Sequence, residues 1–119
     1  MDQPRRASGL DRAAVFYGPK RAGVLVSKGD GFEFAYDSAY LADHEALPIS
    51  LSIPLRADKY ESKALFPFFD GLLPEGWLLE VICATAKIDP ADKFRLLLHT
   101  GEDPVGAVSV RPFEEADDG

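Results

Sequence analysis

This chain has little of the chemistry from which active sites are built. Its 119 residues include one cysteine, Cys83, and two histidines, His44 and His99, far apart in sequence. A single cysteine excludes an internal disulfide framework and fits a reducing cytoplasm. Neither histidine stands at metal-pair spacing and Cys83 has no cysteine or histidine nearby, so no zinc site is expected. A nucleophilic cysteine needs a depressed pKa and a base beside it, whereas Cys83 lies in an apolar run and reads as structural. No apolar stretch approaches the roughly 20 residues of a membrane helix. Met1 to Arg6 lack the apolar segment of a signal peptide.

Positive charge is also scarce, with 13 Lys and Arg against 20 Asp and Glu and a net charge of −7. Glu114-Glu115-Ala116-Asp117-Asp118 make an acidic tail, yet the chain stays acidic without it. That balance argues against a nucleic-acid backbone as the main partner and favours a basic protein or cationic groove. The one basic concentration, Arg5, Arg6 and Arg12 with Lys20 and Arg21, reads as a solvated end.

Catalytic motifs are missing as well. The segment Gly101-Glu102-Asp103-Pro104-Val105-Gly106 follows a helix and lacks the lysine and Ser/Thr of a phosphate loop. No kinase catalytic loop or DFG-like triplet is visible. Asp70 and Glu75 could be imagined as an acid–base pair, but a turn residue and a helix-start carboxylate account for both. No enzyme, cofactor or metal is expected.

What is present is an ordinary globular composition, 46% hydrophobic and 28% charged, in one core-forming domain over residues 12–112. Residues 1–11 read as a flexible start and 113–119 as a flexible acidic tail. Arg12 to Tyr17, Ala22 to Lys28 and Phe32 to Tyr36 are predicted strands, separated by Gly18-Pro19-Lys20-Arg21 and Gly29-Asp30-Gly31. Phe32, Phe34 and Tyr36 share one face by the period of two. Ile49-Ser50-Leu51-Ser52-Ile53 alternates between Pro48 and Pro54, so it is predicted as an edge strand with Ile49, Leu51 and Ile53 inward. Arg56 to Lys63 reads as a charged loop. Asp89 is predicted to cap a helix with Pro90 at its first position and Phe94, Leu97 and Leu98 on its apolar face. Gly101 is expected as its left-handed stop, and Val105 to Val110 as a last strand. The fold class is α+β, a small mostly antiparallel sheet of about five strands with two to three helices packed on one face.

The most unusual stretch is Phe66 to Val81, which holds three of the eight phenylalanines and the only tryptophan. Pro74 pushes Leu73 out of the helical region, which predicts a short turn over Phe68 to Leu72, a break, and a new helix from Glu75. On that helix Trp77, Leu78, Leu79, Val81, Ile82, Ala84 and Ala86 spread over roughly 220°, against the roughly 100° or more of an ordinary surface helix. Either the helix is central to the core or one side meets another chain. Trp77 is accordingly a core residue or an anchor in a partner's pocket.

Three strings, Leu51-Ser52-Ile53-Pro54-Leu55-Arg56, Phe68-Phe69-Asp70-Gly71-Leu72-Leu73-Pro74-Glu75-Gly76-Trp77, and Asp92-Lys93-Phe94 followed by Gly106-Ala107-Val108, resemble the N-terminal domain of HipA. HipA is the serine/threonine-kinase-like toxin of bacterial toxin–antitoxin systems. The similarity runs from about Arg12 to Pro112. HipA continues into a kinase domain whereas this chain ends in its acidic tail, so it resembles HipS, the stand-alone protein of split HipB–HipS–HipT systems. The resemblance implies an antitoxin that binds a separate HipT or HipA-like kinase, with a HipB-like helix-turn-helix DNA-binding protein as a further member of the complex. It also implies that Trp77, on a turn shaped by Leu73, Pro74, Glu75 and Gly76 and supported by Phe68 and Phe69, enters the kinase cleft. The alternative is a regulatory or dimerising N-terminal domain of a larger HipA-like kinase. Autonomous DNA binding is disfavoured by charge and by the absence of a readable helix-turn-helix.

Overall fold

The computed structural model describes residues 11–101 and 107–113. The mobile start, the first residues of the last strand and the acidic tail expected above lie outside the described residues.

Turn chemistry sets the sheet. Strand β1 (Arg12–Tyr17) turns at Gly18-Pro19 into β2 (Lys20–Lys28), with Gly18 at φ 61°, a left-handed conformation that glycine adopts without a Cβ penalty. Gly29-Asp30 returns the chain into β3 (Gly31–Tyr36). After a helical turn α1 (Ser38–Ala42) and a long connection comes β4 (Tyr60–Ser62). Helices α2 (Pro67–Asp70), α3 (Gly76–Ala86) and α4 (Lys93–Thr100) follow, and β5 (Val108–Pro112) closes the fold. The sheet is antiparallel throughout, in the order β4-β3-β2-β1-β5. The five strands and the α+β class match the expectation, and the described residues hold four helical segments.

Register builds the core. Ala13 pairs with Leu25, Leu25 with Phe34, and Phe34 with Tyr60, while Val15 pairs with Val110. One face therefore carries Ala13, Val15, Leu25, Phe34, Tyr36, Val108 and Val110, all buried. Tyr40, Phe69, Phe94 and Leu97 from the helical segments join them in a single cluster. The register slips between Val15 and Phe16, where Ala22 is the extra residue of a β-bulge. On the opposite face Phe16, Val24 and Val26 stay half-buried, and Arg111 stacks over the Phe16 ring at 4.2 Å.

Several expectations need correction. Ile49 to Ile53 is a tight turn with one isolated bridge, Ser50 to Ile53, rather than a strand. The Tyr36 hydroxyl accepts from the Ile49 N–H at 3.1 Å and donates to the Ile53 carbonyl, drawing the two ends together. Ile49 and Ile53 are buried as expected, but Leu51 is 95% exposed at the tip. Burial pushes the Tyr36 phenol up to about 12. The edge strand is instead Tyr60–Ser62, within the segment read as a loop, and its exposed central Glu61 gives no apolar signal. Helix α4 starts later than expected, because Asp89 closes a turn onto the Ala91 N–H while Asp92 caps the helix by accepting from the Arg95 N–H at 3.2 Å. Its buried face is Phe94, Leu96 and Leu97, with Leu98 only half-buried. Gly101 is right-handed, with φ −78°. Glycine is needed there for another reason, since a Cβ would lie 2.7 Å from the Leu97 carbonyl and 2.9 Å from the Val110 side chain.

A candidate partner-binding face on the proline-broken run

The run from Phe66 to Val81 begins with a buried aromatic knot. Pro67 occupies the first turn of α2, where its missing N–H costs nothing. Phe69 is fully buried, its ring 5.8 Å from Phe34, 6.2 Å from Phe66 and 5.2 Å from Phe68. Phe34 belongs to β3, so these contacts fasten the run to the sheet. Phe68 is half-buried beside Phe69. Lys93 reaches Asp70 at 2.9 Å and ties the end of α2 to the start of α4.

The chain then breaks where Pro74 predicts it. The last turn-type bond runs from the Leu73 N–H to the Asp70 carbonyl at 3.2 Å. Glu75 is extended, with φ −133°, and Gly76 at φ 61° is left-handed. A Cβ on Gly76 would meet nothing within 4 Å, so it is the dihedral and not the space that calls for glycine. The helix proper starts at Gly76, one residue after the expected start. It ends at Lys87 with φ 58°, whose N–H bonds back to the Cys83 carbonyl, and the next residue, Ile88, is buried.

Between those two pinned ends, no residue of α3 is buried. Leu79, Ile82, Cys83 and Ala86 are half-buried and make the side that lies on the domain. At about 100° per residue the opposite side holds Trp77, Leu78, Val81 and Ala84. There Trp77 is 75% exposed, Val81 47% and Leu78 43%. The wide apolar arc thus splits into an inward side and an outward side. Trp77 is not a core residue.

The residues singled out from sequence divide in the same way. Phe69 lies in the core with Phe68 beside it, Leu73 and Pro74 are half-buried at the break, and Glu75, Gly76 and Trp77 are exposed. Leu78 and Val81 extend the exposed surface beyond that set, and the i, i+4 spacing of Val81 from Trp77 is the signal that would have included it. Among the described residues no group of three or more His, Cys, Asp or Glu could hold a metal. On β3, the Glu33 carboxyl is held below its ordinary value by its hydrogen bond from Lys28.

Comparison with known proteins identifies the domain. The chain belongs to the HipA N-terminal domain family, which matches residues 13–111. The solved N-terminal domain of HipA toxin has the same fold, with a TM-score of 0.66 and 31% identity over 88% of this chain and 94% of that one. An uncharacterised protein of Haemophilus influenzae is 38% identical over 97 residues, covering 82% of this chain and 88% of that protein. Two putative kinases of Sinorhizobium fredii, Y4mE and Y4dM, are 39% and 38% identical. The matched region spans only 20% and 22% of their lengths. The family places the chain in a HipA-related toxin–antitoxin context, as a domain type that is not itself catalytic. Among the described residues no helix is long and apolar enough to cross a membrane.

Proposed function

We propose that this chain is a non-catalytic, cytoplasmic antitoxin of the HipS kind, which binds and inhibits a HipA- or HipT-type serine/threonine kinase. The observation that carries the reading is the outward side of α3, where Trp77, Leu78 and Val81 stand in water on a helix with no buried residue. Exposed apolar groups clustered on one rigid element mark an interaction site, and tryptophan is the side chain that most often dominates such sites. Partner chemistry follows from relatives in which a comparable domain is part of a longer chain named as a putative kinase. In this reading Trp77 enters the kinase cleft, Leu73, Pro74, Glu75 and Gly76 shape the turn that presents it, and Phe68 and Phe69 support the turn from below. A HipB-like helix-turn-helix protein supplies DNA binding within the same complex, and this acidic chain makes no direct nucleic-acid contact.

The test is co-expression with the HipA-type kinase of the same genome. The wild-type chain restores growth and co-purifies with the kinase. Trp77→Ala stays folded and does neither. If Trp77→Ala rescues as well as wild type, the anchor assignment is wrong. A second reading, a regulatory N-terminal domain of a larger kinase, rests on the two long relatives, of which this domain occupies about a fifth. An uninterrupted reading frame joining this region to a kinase domain supports it, and a separate kinase frame supports the first.

A further inference from the structure

A groove opens at the base of the presenting turn, lined by Leu73, Pro74, Leu79 and Leu96 with Asp70 and Glu75 among its polar residues. Its volume is about 120 Å³, well below the roughly 300–1,000 Å³ of small-molecule sites. It has room for a side chain rather than for a nucleotide or metabolite. The walls are aliphatic and the polar groups are mostly anionic. Lys93 also lines the groove, and it is held by Asp70 at 2.9 Å. That pairing leaves Glu75 as the uncompensated charge. The Glu75 side chain makes no cap to α3 and has no ion-pair or hydrogen-bond partner among the described residues.

We propose that this groove receives one lysine or arginine side chain of the kinase, its aliphatic stem against Leu73, Pro74, Leu79 and Leu96 and its cationic head on Glu75. The inference rests on the function proposed above and specifies the chemistry of that partner. Long basic side chains pair an apolar stem with a charged tip, and this groove offers the complement of both. The position is continuous with the proposed interface, because Glu75 and Leu79 stand on either side of Trp77 in sequence and Leu79 begins the inward side of the same helix. An apolar occupant would strand the Glu75 carboxylate in a desolvated contact, which disfavours it. A charge-paired occupant also gives the acidic chain a fixed register on a cationic cleft.

Titration calorimetry of the full chain with the purified kinase tests this, using wild type, Glu75→Gln, Glu75→Lys and, as control, Glu80→Gln. Glu80 is exposed on the same helix and does not line the groove. At about 50 mM salt Glu75→Gln binds roughly five- to tenfold more weakly and Glu75→Lys at least about fiftyfold, while Glu80→Gln stays within about twofold of wild type. Near 0.5 M salt the Glu75→Gln deficit shrinks to about twofold or less, because screening weakens the pair it removes. Wild-type binding with unaffected Glu75 variants overturns the inference while leaving the proposed function intact. Equal losses at Glu75 and Glu80 also overturn it, since net charge alone would then explain them. If wild type itself does not bind the kinase, the proposed function falls and the inference with it.

Discussion

Truncating Phe69 separates the supporting part of the run from the presenting part. Its ring is fully buried and touches the Phe34, Phe66 and Phe68 rings at centroid distances of 5.8, 6.2 and 5.2 Å. Removing a buried phenylalanine to alanine costs about 3–5 kcal/mol in transfer free energy and cavity, with the lost aromatic contacts already inside that range. A domain of this size has about 5–15 kcal/mol of stability to lose. With a urea dependence of about 1–3 kcal/mol per M, Phe69→Ala lowers the unfolding midpoint by about 2 M. Far-UV circular dichroism is the appropriate probe, because the only tryptophan is 75% exposed and unfolding should change its surroundings little. Trp77→Ala, measured alongside, changes stability by less than about 1 kcal/mol, as expected of a surface site. If Phe69→Ala costs under about 1 kcal/mol, or Trp77→Ala costs about 3 kcal/mol or more, the assignment of support and presentation is reversed.

Other outcomes follow from single contacts. Tyr36 has a folded-state pKa of about 12 against 10.0 for the free phenol, so the fold favours its protonated form. Its effect on stability is therefore flat below pH 10, and stability falls as pH rises toward 12, by about 1.4 kcal/mol per pH unit. Chemical denaturation at pH 9, 10 and 11 reads this, and Tyr36→Phe makes the slope shallower by Tyr36's share while the raised Tyr40, Lys20 and Lys28 keep theirs. Asp92→Ala deletes the cap of α4 and costs about 1 kcal/mol by thermal or urea unfolding. Asp89→Ala costs less, because Asp89 caps only the preceding turn.

The readable parts of the fold were those written in local chemistry. Gly18-Pro19 and Gly29-Asp30 punctuate three alternating strands, and Arg12–Tyr17 is found at its expected bounds. The break at Leu73-Pro74 follows from proline's effect on its predecessor. What misled was a local pattern overruled by a distant group. Ile49 to Ile53 alternates like a strand, yet the hydroxyl of Tyr36 folds it into a turn and turns Leu51 outward. Tyr60–Ser62 has too short and too polar a pattern to announce a strand, and pairs with β3 because the sheet edge is there to receive it. The candidate site was half legible. Periodicity showed that α3 carries too much apolar surface, and could not say which side the domain covers. That needed the placement of Leu79, Ile82, Cys83 and Ala86 against the domain, which leaves Trp77, Leu78 and Val81 outside.

Because Trp77 is the only tryptophan, it can be followed alone in a complex. Incorporating 5-fluorotryptophan into this chain gives one fluorine resonance, which can be watched while unlabelled HipA-type kinase is added. In the free protein the resonance should show the large water-to-deuterium-oxide isotope shift of a solvent-exposed indole. In the complex it should move and lose most of that shift, as the ring leaves water for the kinase cleft. A complex that forms while the resonance keeps both its position and its isotope shift would contradict Trp77 as the anchor, and with it the account of this helix as the inhibitory face.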